Sequence, residues 1–264
     1  MSGHVEIQAL VSETPAAVAR RAAELIVEHI GAAVRARGVA RIAVSGGSTP
    51  RAVFDLLADP HQAFFQQMPW TQMQLFWVDE RCVPPTNEES NFGMTWAAMV
   101  SKVPLPAANV HRMEGELDPQ EAASRYESEI RNTFRLEGAE TPTFDLILLG
   151  LGQDGHTASL FPHTTGLHET ARICMANHVP QKYVWRLTLT WPVIIHGREV
   201  AFLIEGDAKA EMVRRVFAGP YDPETYPAQL IRPANGRLTL LLDAAAASQL
   251  PHACAEGTFT MELS

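Results

Sequence analysis

Cysteine is scarce in this chain. The three residues, Cys82, Cys174 and Cys254, are widely separated and form no C-x-x-C pair. An odd, scattered set argues against a disulfide framework and against a cysteine-built zinc site, and it fits a reducing compartment. No apolar run approaches the ~20 residues that a bilayer-spanning helix needs. The opening "MSGHVEIQALVSETP" lacks a basic stretch followed by an apolar one, so no secretory leader is expected. Positive charge is also short: 21 Lys and Arg stand against 30 Asp and Glu, a formal net charge of −9. That balance argues against a nucleic-acid surface. It leaves room for a local basic pocket that takes a small anion. The expectation is a cytoplasmic protein with no nucleic-acid or membrane partner; the oligomeric state is not legible.

What the chain does have is an ordinary globular composition. It is 46% hydrophobic and 19% charged over 264 residues, which predicts a packed core. No repeat, low-complexity linker or domain boundary stands out, so a single α/β domain over residues 1–264 is expected. Residues 5–12 alternate as a strand. Thr14 and Pro15 open a helix whose stripe runs through Val18, Ala22, Leu25, Ile26, His29 and Ala33, and Gly38 closes it. The alternation continues with "RIAV", "MQLFWVDE", "NVHRME", "FDLILLGLG", "YVWRLTLTW", "EVAFLIEG" and "RLTLLLD" as strands, and "TFTMEL" alternates near the end. Helical patterns separate most of them, and several strands are apolar throughout. The fold class is therefore α/β: an open, mostly parallel, Rossmann-like sheet with helices on both faces. "GPYDPETYPAQLIRPANG", residues 219–236, reads as a surface loop or lid containing a short helix.

In such sheets ligands bind beyond the carboxyl ends of the strands, so the strand-to-helix turns carry the information. The first is "SGGSTP", with Ser45, Gly46, Gly47, Ser48 and Thr49. Its glycines let a ligand approach the backbone, and the start of the next helix offers N–H groups to an anion. A tight turn with a Thr cap is the plainer alternative. The spacing here is neither G-x-G-x-x-G nor G-x-x-x-x-G-K-[ST], and on that ground a dinucleotide enzyme is set aside. The second turn is "WVDERCVPPTNEESNFG", where Asp79, Glu80 and Arg81 stand together and Asn91 follows. It is either a solvated loop or a site wall, with Arg81 available to a carboxylate or a phosphate.

The third turn is "GLGQDGHTASLFP". Asp154 and His156 flank Gly155, a spacing that lets the acid orient the imidazole. His163 and His168 lie nearby, but no H-E-x-x-H is present and no metal is expected; a loop position is their default. Two cations complete the set. Arg186 sits oddly in the β-rich "WRLTLTW". Lys209, in the first turn of a helix, opposes the macrodipole unless an anion is near. Either alone is more often a surface charge.

Together, "SGGSTP", "WVDER…TNEESNFGM", "FDLILLGLGQDGHTASLFP" and "RLTLTWPVI" resemble the 6-phosphogluconolactonase family, in matching order from about Val39 to Lys209. The resemblance implies a fold shared with glucosamine-6-phosphate isomerases and deaminases. It implies hydrolysis of 6-phospho-D-glucono-1,5-lactone to 6-phosphogluconate in the oxidative pentose phosphate pathway, with no metal or organic cofactor. His156 would be the general base and Asp154 its orienting acid. The Ser45–Thr49 turn, Arg81, Arg186 and Lys209 would anchor the phosphate; Asp79 and Asn91 would line the pocket. Isomerase relatives carry "DEY" where this chain has "DER", and a glutamate five residues after the motif histidine. Here that position is Phe161, which favours lactone opening. A non-enzymatic sugar-phosphate sensor is the alternative of another class, and no helix-turn-helix candidate supports it.

Overall fold

Apolar runs too short for helices become the parallel strands of a central sheet. The computed structural model describes residues 4–233, 236–251 and 257–262; Cys254 lies outside them. The strands are β1 (His4–Ser12), β2 (Ala40–Val44), β3 (Met73–Trp77), β4 (Asp79–Arg81), β5 (Val110–His111), β6 (Leu146–Leu149), β7 (Cys174–Val179), β8 (Val184–Leu189), β9 (Glu199–Ile204), β10 (Arg237–Asp243) and β11 (Gly257–Glu262). Among the described residues the large sheet has the order β11-β1-β10-β9-β6-β2-β3-β5. Seven of these strands are parallel, and β11 pairs antiparallel with β1 at the edge.

Both faces of the sheet are buried, which explains the unbroken apolar strands. Within β6, Leu146 and Leu148 face one core, and Ile147 and Leu149 face the other. Helix α1 (Pro15–Arg37) and α2 (Ser48–Ala58) cover the first face, through Val18, Ile26 and Ile30 and through Val53, Phe54 and Leu57. Then come α3 (Ala63–Gln67) and α4 (Asn91–Ala98). The opposite face is covered by α5 (Pro119–Phe134), α7 (Ala210–Ala218) and α8 (Ala244–Ala247); α6 (Trp191–Ile195) is a short connector. The caps of α1 sit where the sequence puts them. The Thr14 hydroxyl accepts from the Ala17 N–H at 3.2 Å, and Gly38 closes the helix at φ 74°.

Two findings depart from the sequence reading. The "YVWRLTLTW" strand does not join the large sheet. It is the middle strand of a second, three-stranded antiparallel sheet, β4-β8-β7. Its hydrogen-bonding edges are taken by "DER" on one side, whose Asp79 and Glu80 the pattern assigns to the end of "MQLFWVDE" but which forms a separate short strand after Val78, and by "CMANHV" on the other, which the pattern does not mark as a strand. The described part of residues 219–236 is also no free surface loop: Ala228, Gln229, Ile231 and Arg232 are buried. The Gln229 side chain holds that segment, accepting from the Asp222 N–H at 2.6 Å and donating to the Arg215 and Pro220 carbonyls at 3.0 and 2.9 Å.

The connectivity fixes where a ligand would sit. Strands β2 and β6 are neighbours, paired at Ile42 and Leu146. From β2 the chain passes to β3 on one side; β6 borders β9 on the other. That is a topological switch point, where the turns after the two strands part and open a crevice.

Candidate functional site

The crevice is a cleft of about 230 Å³. Four turns or strands wall it: Ser45 and Gly46 after β2, Asp79 and Arg81 on β4 with Asn91 at the start of α4, and Gly150, Leu151, Gly152, His156 and Ala158 after β6. Lys209, ahead of α7, completes it. Three distant turns that the sequence singled out thus meet at one place.

His156 sits on a bent loop. Its imidazole Nδ1 meets the Asp154 carboxylate, and the same oxygen accepts from the residue's own backbone N–H at 3.2 Å. Nε2 is the nitrogen left for the cleft. Burial by itself raises the Asp154 carboxyl, but the His156 hydrogen bond and charge outweigh it and bring it down to about 2. Asp154 is therefore ionised at any working pH. A Cβ on Gly152 would collide with the imidazole, so a glycine is needed for the ring to lie over the backbone there. The loop is closed by the Gly152 N–H donating to the His156 carbonyl at 2.8 Å and the Thr157 hydroxyl donating to the Gly150 carbonyl at 2.8 Å.

Gly150, Gly152 and Gly155 match G-x-G-x-x-G, unlike the glycines of the first turn. The match carries no dinucleotide site, because no helix follows. The chain runs instead through turns and a small Thr157–Leu160 bridge, so the helix N-terminus that would take a pyrophosphate is missing there.

The "SGGST" turn has a different build. Ser45 is buried and its hydroxyl has no partner, while facing the cleft. Such a group costs stability unless something pairs with it. A Cβ on Gly46 would strike the Asn91 side chain, so glycine lets the two turns touch. Gly47 caps α2 without a side-chain bond to its first turn, leaving the N–H groups of Ser48 and Thr49 uncapped. The Thr49 hydroxyl is turned away to the Glu205 carboxylate at 3.1 Å. Gly47, Ser48 and Thr49 do not border the cleft itself.

On β4 the three charges take three roles. Asp79 is buried, accepting from the Ser159 hydroxyl at 2.7 Å and the Asn91 amide at 3.3 Å. Ser159 was missed at the sequence level although it lies within the His156 motif. Glu80 faces inward and caps α4. Arg81 faces the cleft and donates to the Glu89 carbonyl at 2.6 Å. Arg186 pairs in register with Arg81 across β4 and β8. It stands beside the cleft and does not line it. Burial first, then the Arg81 charge, lowers its pKa. Two guanidinium groups side by side are unfavourable unless an anion joins them. Lys209 lies in a short turn (Asp207–Lys209) just before α7 and donates to the Leu151 carbonyl at 2.7 Å. Burial lowers its pKa and the nearby Asp154 charge raises it, which places this cation on the His156 side of the cleft.

His163 and His168 stay outside the cleft. The His163 N–H donates to the Glu224 carbonyl at 3.2 Å, and His168 Nε2 lies 3.2 Å from the Glu224 carboxylate. They fasten the 219–233 segment, which also bonds from the Ala228 N–H to the Gly155 carbonyl at 2.9 Å. No helix among the described residues is long and apolar enough to cross a membrane.

Residues 13–240 match the family model of glucosamine-6-phosphate isomerases/6-phosphogluconolactonase. A curated 6-phosphogluconolactonase of Synechocystis is 41% identical over 232 residues, which are 87% of this chain and 92% of the relative. Among solved structures, the devB protein superposes with a TM-score of 0.84 at 34% identity, over 93% of this chain and all of that one. The 6-phosphogluconolactonase from Trypanosoma cruzi gives a TM-score of 0.80 at 31% identity, over 92% of this chain and 96% of that one.

Proposed function

The chain belongs to the glucosamine-6-phosphate isomerase/6-phosphogluconolactonase family, and on that premise we propose that it opens 6-phospho-D-glucono-1,5-lactone to 6-phospho-D-gluconate, a step of the oxidative pentose phosphate pathway. His156 is the base. Its Nε2 takes a proton from a water, the hydroxide attacks the lactone carbonyl, and the ring C–O bond of the tetrahedral intermediate breaks. The proton held on the imidazole goes to the departing ring oxygen. Asp154 keeps Nδ1 protonated and stabilises the imidazolium formed on the way. The phosphate is held by Arg81 and Lys209 of the cleft with Arg186 beside it, and that binding sets the carbonyl over His156.

The observation that carries this reading is the partner set of the imidazole. An ionised acid holds one edge, and an aromatic ring, Phe161, stacks on its face where an isomerase has its glutamate. Ester hydrolysis needs one base and a water. Aldose–ketose ring chemistry needs a second proton carrier, and Phe161 cannot be one. The test is lactone generated fresh by an upstream dehydrogenase, with the spontaneous opening subtracted, run beside glucosamine-6-phosphate. Enzyme-dependent opening of the first with no ammonia from the second is expected. Deamination, or no opening above background, overturns the assignment.

Arg186 tests the anchor. Arg186→Ala raises KM roughly 10-fold, because one charge-assisted contact of ~1.5 kcal/mol is lost, and leaves kcat nearly unchanged. An unchanged KM in steady-state kinetics would remove Arg186 from the site.

A further inference from the structure

Phe161 is buried at 5% exposure, yet it belongs to neither apolar core. Its neighbours are of another kind. The His156 imidazole stacks on it with centroids 4.1 Å apart and planes at 23°. The Lys182 ammonium lies 4.4 Å from the centroid of the same ring. We propose that Phe161 is a positioning residue: with the β7–β8 hairpin that grips it, it fixes the plane of the His156 imidazole so that Nε2 points at the bound lactone. This rests on His156 being the base.

The physical need is clear. The last torsion of a histidine is broad and nearly two-fold. A bond from Nδ1 to Asp154 fixes one edge and still allows the ring to tilt about that bond. A flat surface against the ring removes the tilt. Phe161 in turn is held by the second sheet. The Thr164 hydroxyl donates to the Phe161 carbonyl at 2.8 Å, and Thr164 Oγ1 accepts from the fully buried Asn177 of β7 at 3.0 Å. The same Asn177 amide donates to the Ser159 carbonyl at 2.9 Å. At the hairpin tip, Gln181 donates to the Pro162 carbonyl at 3.1 Å, beside Lys182. Residues 159–164 are thus clamped from two points of β7 and its turn. The small sheet is the mount of the imidazole, which gives it a task beyond carrying Arg81 and Arg186.

The experiment compares Phe161→Leu and Phe161→Tyr with the wild-type enzyme on fresh lactone, and follows the His156 Hε1 resonance by NMR. Leu fills the space without a flat face. Its kcat falls on the order of 10- to 100-fold with KM within about twofold, since the phosphate anchors are untouched. The His156 Hε1 signal loses the upfield shift that a stacked ring imposes. Tyr restores both. Lys182 is exposed, so Lys182→Met folds in any case and lowers kcat roughly 2- to 5-fold as one cation–π contact is lost. A Leu variant with wild-type kcat and an unmoved Hε1 overturns the proposal, and so does a fall in kcat that Tyr does not rescue. Should the Leu variant not fold, wild-type kcat in Lys182→Met overturns it as well. Failure of the wild-type enzyme to open the lactone would instead sink the assignment of function.

Discussion

His156→Ala lowers kcat for lactone opening by about three orders of magnitude, within the range that a positioned general base supplies, and leaves the affinity for 6-phosphogluconate within a few-fold of wild type. The two halves of this expectation come from separate parts of the cleft. The base stands on the loop after β6; the proposed anion anchors Arg81, Arg186 and Lys209 stand on β4, β8 and the turn before α7. The loop survives the substitution because its closing bonds are made by other atoms: the Gly152 N–H to the carbonyl of residue 156, and Thr157 to Gly150. Asp154 loses its imidazole partner but keeps the backbone N–H of residue 156. The imidazole brings the carboxyl down to about 2 in the wild type against the burial that raises it, so the carboxyl rises in the variant. Product titration by calorimetry and background-corrected turnover measure the two halves. Wild-type turnover would remove His156 as the base. Loss of product binding would mean the imidazole is a ligand contact first.

Much of this site is legible in the sequence because its turns follow buried strands. "FDLILLGLG" could only be covered on both faces, and residues at the carboxyl end of such a strand must border a crevice. Asp154 and His156 are two apart, so their contact is local and readable. Where partners come from different segments, reading fails. Asn177 interrupts "CMANHV" with a polar residue that is fully buried, and its partners, Ser159, Thr164 and Gly166, lie on another segment. A strand whose polar residue faces a hydrogen-bond network shows no alternation. Gln229 hides its segment in the same way. Its side chain satisfies three backbone groups, so a stretch rich in Pro and Gly is buried instead of exposed. Arg186 is an odd residue for a β-rich stretch. That it stands across from Arg81 depends on the β4–β8 register, which no local pattern encodes.

Glu80→Ala costs about 3–5 kcal/mol of stability, seen as a fall in Tm of roughly 10 °C for a chain of this size. Only 2% of Glu80 is exposed. One carboxylate oxygen accepts the N–H groups of Arg81 and Asn91, each at 2.8 Å; the other accepts the Phe92 N–H at 2.8 Å and the Ser90 hydroxyl at 3.1 Å. Alanine leaves these donors unpaired in a closed place, at ~1–3 kcal/mol for each that water does not reach. Glutamine does not rescue, since its amide would turn N–H groups toward two donors. Burial raises the Glu80 carboxyl, while the backbone N–H groups of Phe92, Asn91 and Arg81 pull it down and the Asp79 charge adds to the rise. A raised folded value means that this part of its contribution is full below the ordinary carboxylate range of ~4.3 and declines as pH rises through the folded value. The stability gap between wild type and variant is therefore wider at the acid end of that window than at neutrality, a trend that melts across the window measure. The loss reaches the cleft too. Without Glu80 the first turn of α4 loosens, and with it the Asn91 amide that donates to the Asp79 carbonyl at 2.9 Å and fills the space over Gly46. A Tm within about 2 °C of wild type would show that water replaces the carboxylate at little cost, and would make Glu80 a helix cap of convenience instead of the joint between β4 and α4.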